Sequence, residues 1–186
     1  MLLVKREVKE ITSGAAPWQR PQRRYIALME AFSHLLDRLV LTPSRIGKLR
    51  LLEDYFRVQP DPARGYGLAA ITRDLEIASV KPAMLRALAE ERMDPILFGY
   101  SYDYVGDMAE TISLTWQPDF TGINEPLTLT HVVESLQAAT RAEGLGLVRD
   151  WLHRLDTSGR YALIKLAPGG LRFGVSSRLA KQALAN

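Results

Sequence analysis

The residues most able to do chemistry lie between Arg160 and Leu184, in the run RYALIKLAPGGLRFGVSSRLAKQAL. Basic side chains stand at Arg160, Lys165, Arg172, Arg178 and Lys181, with no Asp or Glu among them. A short apolar helix carrying Tyr161, Ile164 and Leu166 is expected to break at Pro168-Gly169-Gly170. Ser176 and Ser177 can then cap a final helix. Glycines, here Gly169, Gly170 and Gly174, let backbone approach a ligand closely. A new helix N-terminus turns unpaired N–H groups and a positive dipole end toward an anion. Together these features describe a phosphate-binding corner with Arg172, Arg178 and Lys181 as its cations. The bland alternative is a glycine-rich helix connection with a solvated basic face. Either reading expects 178, 181, 182 and 185 on a polar stripe and 179, 180, 183 and 184 on an apolar one.

A second basic cluster, Arg45, Lys48 and Arg50, belongs to an early helix, and Ser44 stands at its start. Such a surface is ordinarily only solvated, but it can also meet phosphates. Asp103, Asp107 and Glu110 fall at i, i+4, i+7 and would share one face of a continuous helix. Three carboxylates can hold Mg²⁺ or Ca²⁺, though a solvated acidic face is the simpler account. His34, His131 and His153 are far apart and form no metal-binding spacing. Gly65 to Ala70 fits G-x-G-x-x-A but follows Asp-Pro-Ala-Arg rather than an apolar strand, which argues against a dinucleotide site. Gly169 to Gly174 has the glycine spacing of a P-loop, but Val175-Ser176 stands where Lys-Ser/Thr is required. No G-x-S-x-G is present. Trp18, Trp116, Trp151 and the tyrosines read as packing residues.

These segments must be positioned by helices. Phe32, Leu35, Leu36, Leu39 and Val40 follow i, i+3, i+4, i+7, i+8. Thr42-Pro43 reads as an N-cap followed by proline at N1, opening a helix that buries Ile46, Leu49, Leu52 and Phe56. Lys81-Pro82 opens another, with Met84, Leu85 and Leu88 inward. Asp94-Pro95 opens the segment Ile96 to Tyr100. Asp103 to Trp116 is expected to be helical through Gly106. A loop covers Gln117 to Leu127, and Thr128 or Thr130 caps the helix of Val132, Val133 and Leu136. Val148, Trp151, Leu152 and Leu155 mark a helix after Gly144 and Gly146, and Asp156 to Gly159 form a turn. Alternating patterns are scarce, so the expected fold is all-α, a compact bundle of many short helices.

Composition narrows the function. The 186 residues suit one domain, and there is no cysteine for disulfides or thiolate metal sites. No apolar run approaches the roughly 18–20 residues of a membrane span. The net charge of +3 is unevenly placed. Residues 1–28 carry +4, so the rest of the chain is not basic overall. Residues 93–140 hold seven acids and no Lys or Arg, whereas residues 141–186 hold eight Lys/Arg against three acids. Such bipolarity suits a protein that presents one face to a polyanion.

The run GGLRFGVSSRLAKQALA resembles the LRIGVSxRLxxxALA signature that closes the N-terminal DNA-binding domain of ATP-dependent DNA ligases, in particular the bacterial branch. LLDRLVLTPSRIGKLRLLEDYFR (Leu35–Arg57), DPARGYGLAAIT (Asp61–Thr72) and DPILFGYSYDYVGDMAETISLTW (Asp94–Trp116) resemble blocks of the same domain, in the same order. The resemblance covers roughly Met29 to Ala185, with Phe173 in place of the more usual Ile. It implies a non-catalytic domain that grips duplex DNA around a nick through the minor groove and phosphates, without base specificity. Ser44, Arg45, Lys48, Lys165, Gly169, Gly170, Arg172, Gly174, Ser176, Ser177, Arg178 and Lys181 are the expected DNA-contacting residues. Lysyl-adenylate chemistry needs a K-x-D-G motif, which is absent here. ATP and Mg²⁺ are therefore implied only for the nucleotidyltransferase and OB-fold domains of a longer parent, and this chain would be their excised or truncated partner. The resemblance also implies a bacterial cytoplasmic, nucleoid-associated protein. Met29 is read as the natural start, with 1–28 an added extension; the alternative is a basic arm that follows DNA. A competing expectation is a helical protein–protein adaptor that docks through the acidic 93–140 region.

Overall fold

A computed structural model describes residues 28–119, 126–169, 171 and 173–186. Most of the 1–28 extension, together with Gly170 and Arg172, lies outside the described residues. Ten helices and no strand occur among the described residues, so the fold is an all-α bundle. The helices are α1 (Met29–Leu41), α2 (Arg45–Val58), α3 (Ala63–Thr72), α4 (Pro82–Glu90), α5 (Pro95–Val105), α6 (Met108–Thr115), α7 (Leu129–Ala138), α8 (Arg141–Arg154), α9 (Thr157–Leu166) and α10 (Ser177–Ala185).

Helix α9 is the axis of the bundle and packs against α1, α6 and α8. Its Ala162, Leu163, Ile164 and Leu166 are buried, facing a core that includes Phe32, Leu36 and Leu39 of α1. Asp156 starts it by accepting the N–H of Gly159 at 2.7 Å, so the expected turn at 156–159 is a cap and a first helical turn. Val40, at the margin of the expected α1 stripe, is exposed, because a 3.6-residue period carries it round toward solvent.

Three expected boundaries move, each through a hydrogen bond or a contact. The N-cap of α2 is Ser44, whose hydroxyl accepts the N–H of Gly47 at 3.2 Å, and Pro43 precedes the cap. With the register so fixed, α2 buries Leu51, Leu52, Tyr55 and Phe56, whereas Ile46 is exposed. The segment 103–116 is not one helix. Gly106 ends α5 at φ +76°, a left-handed conformation that glycine adopts without steric cost. Asp107 then caps α6 through the N–H of Glu110 at 3.0 Å. Asp103, Asp107 and Glu110 therefore do not share a continuous helical face. Helix α8 starts earlier than expected, at a reciprocal capping box of Thr140 and Glu143. It runs through both glycines, and at Gly144 it passes so close to Ser79 that a Cβ would lie 2.8 Å from the serine Cβ.

Leu28 bridges Thr128, and the N–H of Met29 donates to the Leu127 carbonyl at 2.8 Å. The start of α1 is thereby fixed to the start of α7, with the Met29 side chain buried in the core.

Candidate functional site

The connection from α9 to α10 carries the expected phosphate corner. Leu171 and Phe173 are buried, and the Phe173 ring meets Tyr161 edge-on at 6.4 Å. These apolar anchors fasten the loop to the core. Gly169 and Gly174 both have positive φ, +73° and +62°. Ser176 caps α10 by accepting the N–H of Leu179 at 3.2 Å, and the Ser177 hydroxyl reaches the Thr72 carbonyl at 3.4 Å.

Lys48 joins this loop to α2. Its ammonium donates to the Phe173 carbonyl at 2.7 Å and lies 3.4 Å from that of Gly174. A Cβ at Gly174 would sit only 2.8 Å from Lys48 Nζ, so glycine is needed there for space as well as for conformation. At its far end α10 is tied to the same helix, with Asn186 Nδ2 donating to Glu53 Oε1 at 2.6 Å. The loop leading into α10 thus meets α2 near its start, and the end of α10 meets α2 further along. The two helices run in the same general sense. Their serine-capped N-termini, Ser44 and Ser176, therefore lie toward the same side of the α2–α10 pair, each with its own partial positive charge.

The cations divide into two groups. Arg45, Arg178 and Lys181 are exposed and have no ion-pair partner among the described residues. Leu179, Ala180 and Ala183 form the buried side of α10, while Leu184, expected on the apolar side, is partly exposed. Arg50 is likewise exposed with no ion-pair partner among the described residues, whereas Lys48, Lys165 and Arg160 are engaged. Lys48 holds the loop. Lys165 pairs with the carboxylate of Asp107 and lies 5.5 Å over the Tyr161 ring. Arg160 is buried, donating to the carbonyls of Leu152 at 2.8 Å and Trp116 at 3.1 Å, and belongs to the core rather than to a ligand surface. Burial lowers its pKa, against the pull of Asp156.

Acids absent from this stretch of sequence are supplied by other helices. Burial first, and then the carboxylates of Asp107, Glu110 and Asp37, push the Tyr161 phenol up to about 12. Carboxylates of α1 and α6 thus lie near the α9 side of the corner, and the exposed cations Arg45, Arg178 and Lys181 lie on α2 and α10. Burial also pushes the Asp107 carboxyl up, but the Lys165 ammonium and the N–H groups of Glu110 and Ala109 outweigh it. The net pKa is below the ordinary carboxylate value.

Other candidate residues have structural surroundings. The G-x-G-x-x-A run lies inside α3 and offers no loop to cradle a phosphate. His131 packs edge-on against Trp151, and His153 against Trp116, with its Nδ1 accepting the N–H of Asp119 at 3.1 Å. Among the described residues no group of three His, Cys, Asp or Glu is placed to hold a metal ion. The features that sequence reasoning missed are the Phe173 carbonyl, the Thr72 carbonyl and the Asp37 carboxylate. A carbonyl carries no residue-type signal, and Asp37 is far from the corner in sequence.

Compared with protein-family models and with curated proteins, the chain matches none.

Proposed function

We propose that this chain is a non-catalytic, helical DNA-binding domain of the ATP-dependent DNA ligase type. It holds duplex DNA around a nick by sequence-independent contacts to sugar and phosphate. The observation that carries this reading is the Lys48 bridge to the Phe173 carbonyl. It joins the two basic clusters expected from sequence and brings two serine-capped helix starts to the same side of the α2–α10 pair, beside Arg45, Arg178 and Lys181. Exposed cations and N–H groups of this kind suit phosphate oxygens, which fix position without reading bases. The four blocks of resemblance add to this reading.

The strand-joining chemistry belongs to partner domains. None of the lysines stands in K-x-D-G, and Asp103, Asp107 and Glu110 are split among α5, its junction with α6, and α6 itself, so this reading assigns ATP and Mg²⁺ to those domains. Repair, replication and recombination are the settings for such a domain, within a bacterial cytoplasm and on the nucleoid. Among the described residues no helix is long and apolar enough to cross a membrane.

The test is a titration of nicked, intact and single-stranded DNA at several salt concentrations, with the native chain and an Arg45→Ala/Arg178→Ala/Lys181→Ala variant. Each phosphate contact contributes about 0.9 to the slope of log K against log salt, so losing three should flatten the slope by about 2.7. Between 50 and 200 mM salt, about 40-fold of the native loss of affinity should then vanish. An unchanged slope removes these residues from the interface. Equal indifference to all three nucleic acids removes the function.

A further inference from the structure

Helix α5 is turned inside out relative to an ordinary surface helix. Phe98 is its buried residue. Ile96, Leu97, Tyr100 and Tyr104 are 69%, 56%, 72% and 93% exposed. Residues 96, 100 and 104 recur at helical spacing, with 97 on one flank and 103 on the other, so they form a continuous apolar and aromatic stripe. Contiguous exposed patches of this kind mark interaction sites more often than scattered single residues do. Leu97 also forms one wall of a cleft of about 530 Å³ whose other walls include Met93, Ile112, Thr115 and Trp116. The stripe and the cleft are thus continuous through one side chain.

Charge and size identify the occupant. Asp94, Asp103 and Glu110 are exposed and have no cation partner among the described residues, residues 93–140 contain no Lys or Arg, and Arg92, the one cation lining the cleft, is paired with Asp119. A nucleic acid or an anionic lipid surface would be repelled. A second copy would bring the same carboxylates against themselves. Area also argues against self-association. Eleven residues at about 1.5 Å each make a helix roughly 16 Å long, whose outer face offers about 250 Å². A stable protein–protein interface needs about 800 Å² from each partner. A short segment laid along one helix, with an anchor in the adjoining cleft, fits that footprint.

We propose that the α5 stripe and the adjoining cleft dock a short, basic, amphipathic segment of another protein. Its apolar side chains cover Ile96, Tyr100 and Tyr104 and enter the cleft past Leu97. Its Lys or Arg side chains reach Asp94 and Asp103. The site lies in the acidic half of the sequence and does not depend on the DNA-binding reading.

The probe is a fluorescent amphipathic peptide of Leu and Lys at helical spacing, with a Leu/Glu peptide of the same pattern as its counterpart. Anisotropy on the intact chain should show saturable binding of the Lys peptide and at least tenfold weaker binding of the Glu peptide, on the order expected for a charge-complementary face. Ile96→Ser/Tyr104→Ser keeps the charge and alters exposed positions only, and should weaken the Lys peptide by about tenfold, the scale of an interface anchor. Asp103→Asn should weaken it by about threefold, as for a rim ion pair. Circular dichroism of the variants checks that each is folded. Absence of Lys-peptide binding, or equal binding by the native chain and the double variant, overturns the proposal. A native dimer that the double substitution dissociates makes the face a self-interface and overturns it too. An equal loss of DNA affinity in that variant assigns the face to nucleic acid and has the same effect.

Discussion

Substituting Lys48 by Met keeps most of the side-chain volume and removes the ammonium. The bond lost is a 2.7 Å, charge-assisted contact to the Phe173 carbonyl, partly buried. Hydrogen bonds to charged groups are worth about 1.5–3 kcal/mol, and partial exposure places this one near the lower end, about 1.5 kcal/mol. For a domain of this size that corresponds to a fall in Tm of about 3–6 °C. Gly174→Ala reaches the same bond from the other side. It forces a Cβ to within 2.8 Å of Lys48 Nζ, which a flexible ammonium relieves by leaving the carbonyl. It also incurs about 1 kcal/mol for a left-handed non-glycine residue, for a total of about 2.5 kcal/mol. The double variant should cost about the same 2.5 kcal/mol rather than 4, because the bond can be lost only once. Urea unfolding with unchanged m-values measures all three. Arg45→Met, at an exposed position on the same helix, serves as the control and should stay within about 0.5 kcal/mol of the native chain. Additive single costs, or a Lys48→Met variant as stable as the control, would refute the idea that this lysine fastens the loop to α2.

The other predictions concern residues around the same loop. Asp107→Asn removes the Lys165 ion pair. Since the folded Asp107 pKa is below its unfolded value, near 3.8, the ionised group stabilises the fold above that value and the contribution is lost as pH falls through the folded pKa. The stability gap between native and Asp107→Asn should therefore be constant near neutral pH and shrink below about pH 4, as followed by urea unfolding across pH. Ser176→Ala removes the α10 cap and should cost about 1 kcal/mol; hydrogen exchange should rise first at the amides of Leu179 and its neighbours. Arg160→Leu leaves the carbonyls of Leu152 and Trp116 without their donor and should cost about 2–4 kcal/mol. DNA affinity per folded molecule should be unchanged, and a flatter salt slope in that variant would return Arg160 to the ligand surface.

Much of the bundle was legible in local pattern. The α1 stripe through Phe32, Leu36 and Leu39 required only helical periodicity, because burial follows the 3.6-residue repeat. Thr128, Asp94-Pro95 and Ser176 announced helix starts through side-chain chemistry acting over a few residues. The same local logic failed where two signals competed. Thr42-Pro43 signals a start for α2, but the Ser44 hydroxyl reaches the Gly47 N–H and caps the helix instead. At 103–116 the apolar pattern continued, but Gly106 and Asp107 together made a stop and a new start.

The sequence by itself determined an all-helical chain, its caps and the placing of an uninterrupted basic run near its end. These depend on residues within a turn or two of one another. Which of those charges remain available was decided only by the tertiary structure. Lys165 meets Asp107 across 58 residues, Lys48 finds the Phe173 carbonyl across 125, and Arg160 turns inward to two carbonyls. Electrostatic partners are set by distance in space, and packing α9 between α1 and α6 brought acids to one side of a corner that has none in sequence. The same packing left the apolar face of α5 uncovered, which no pattern along the chain could distinguish from a buried helix.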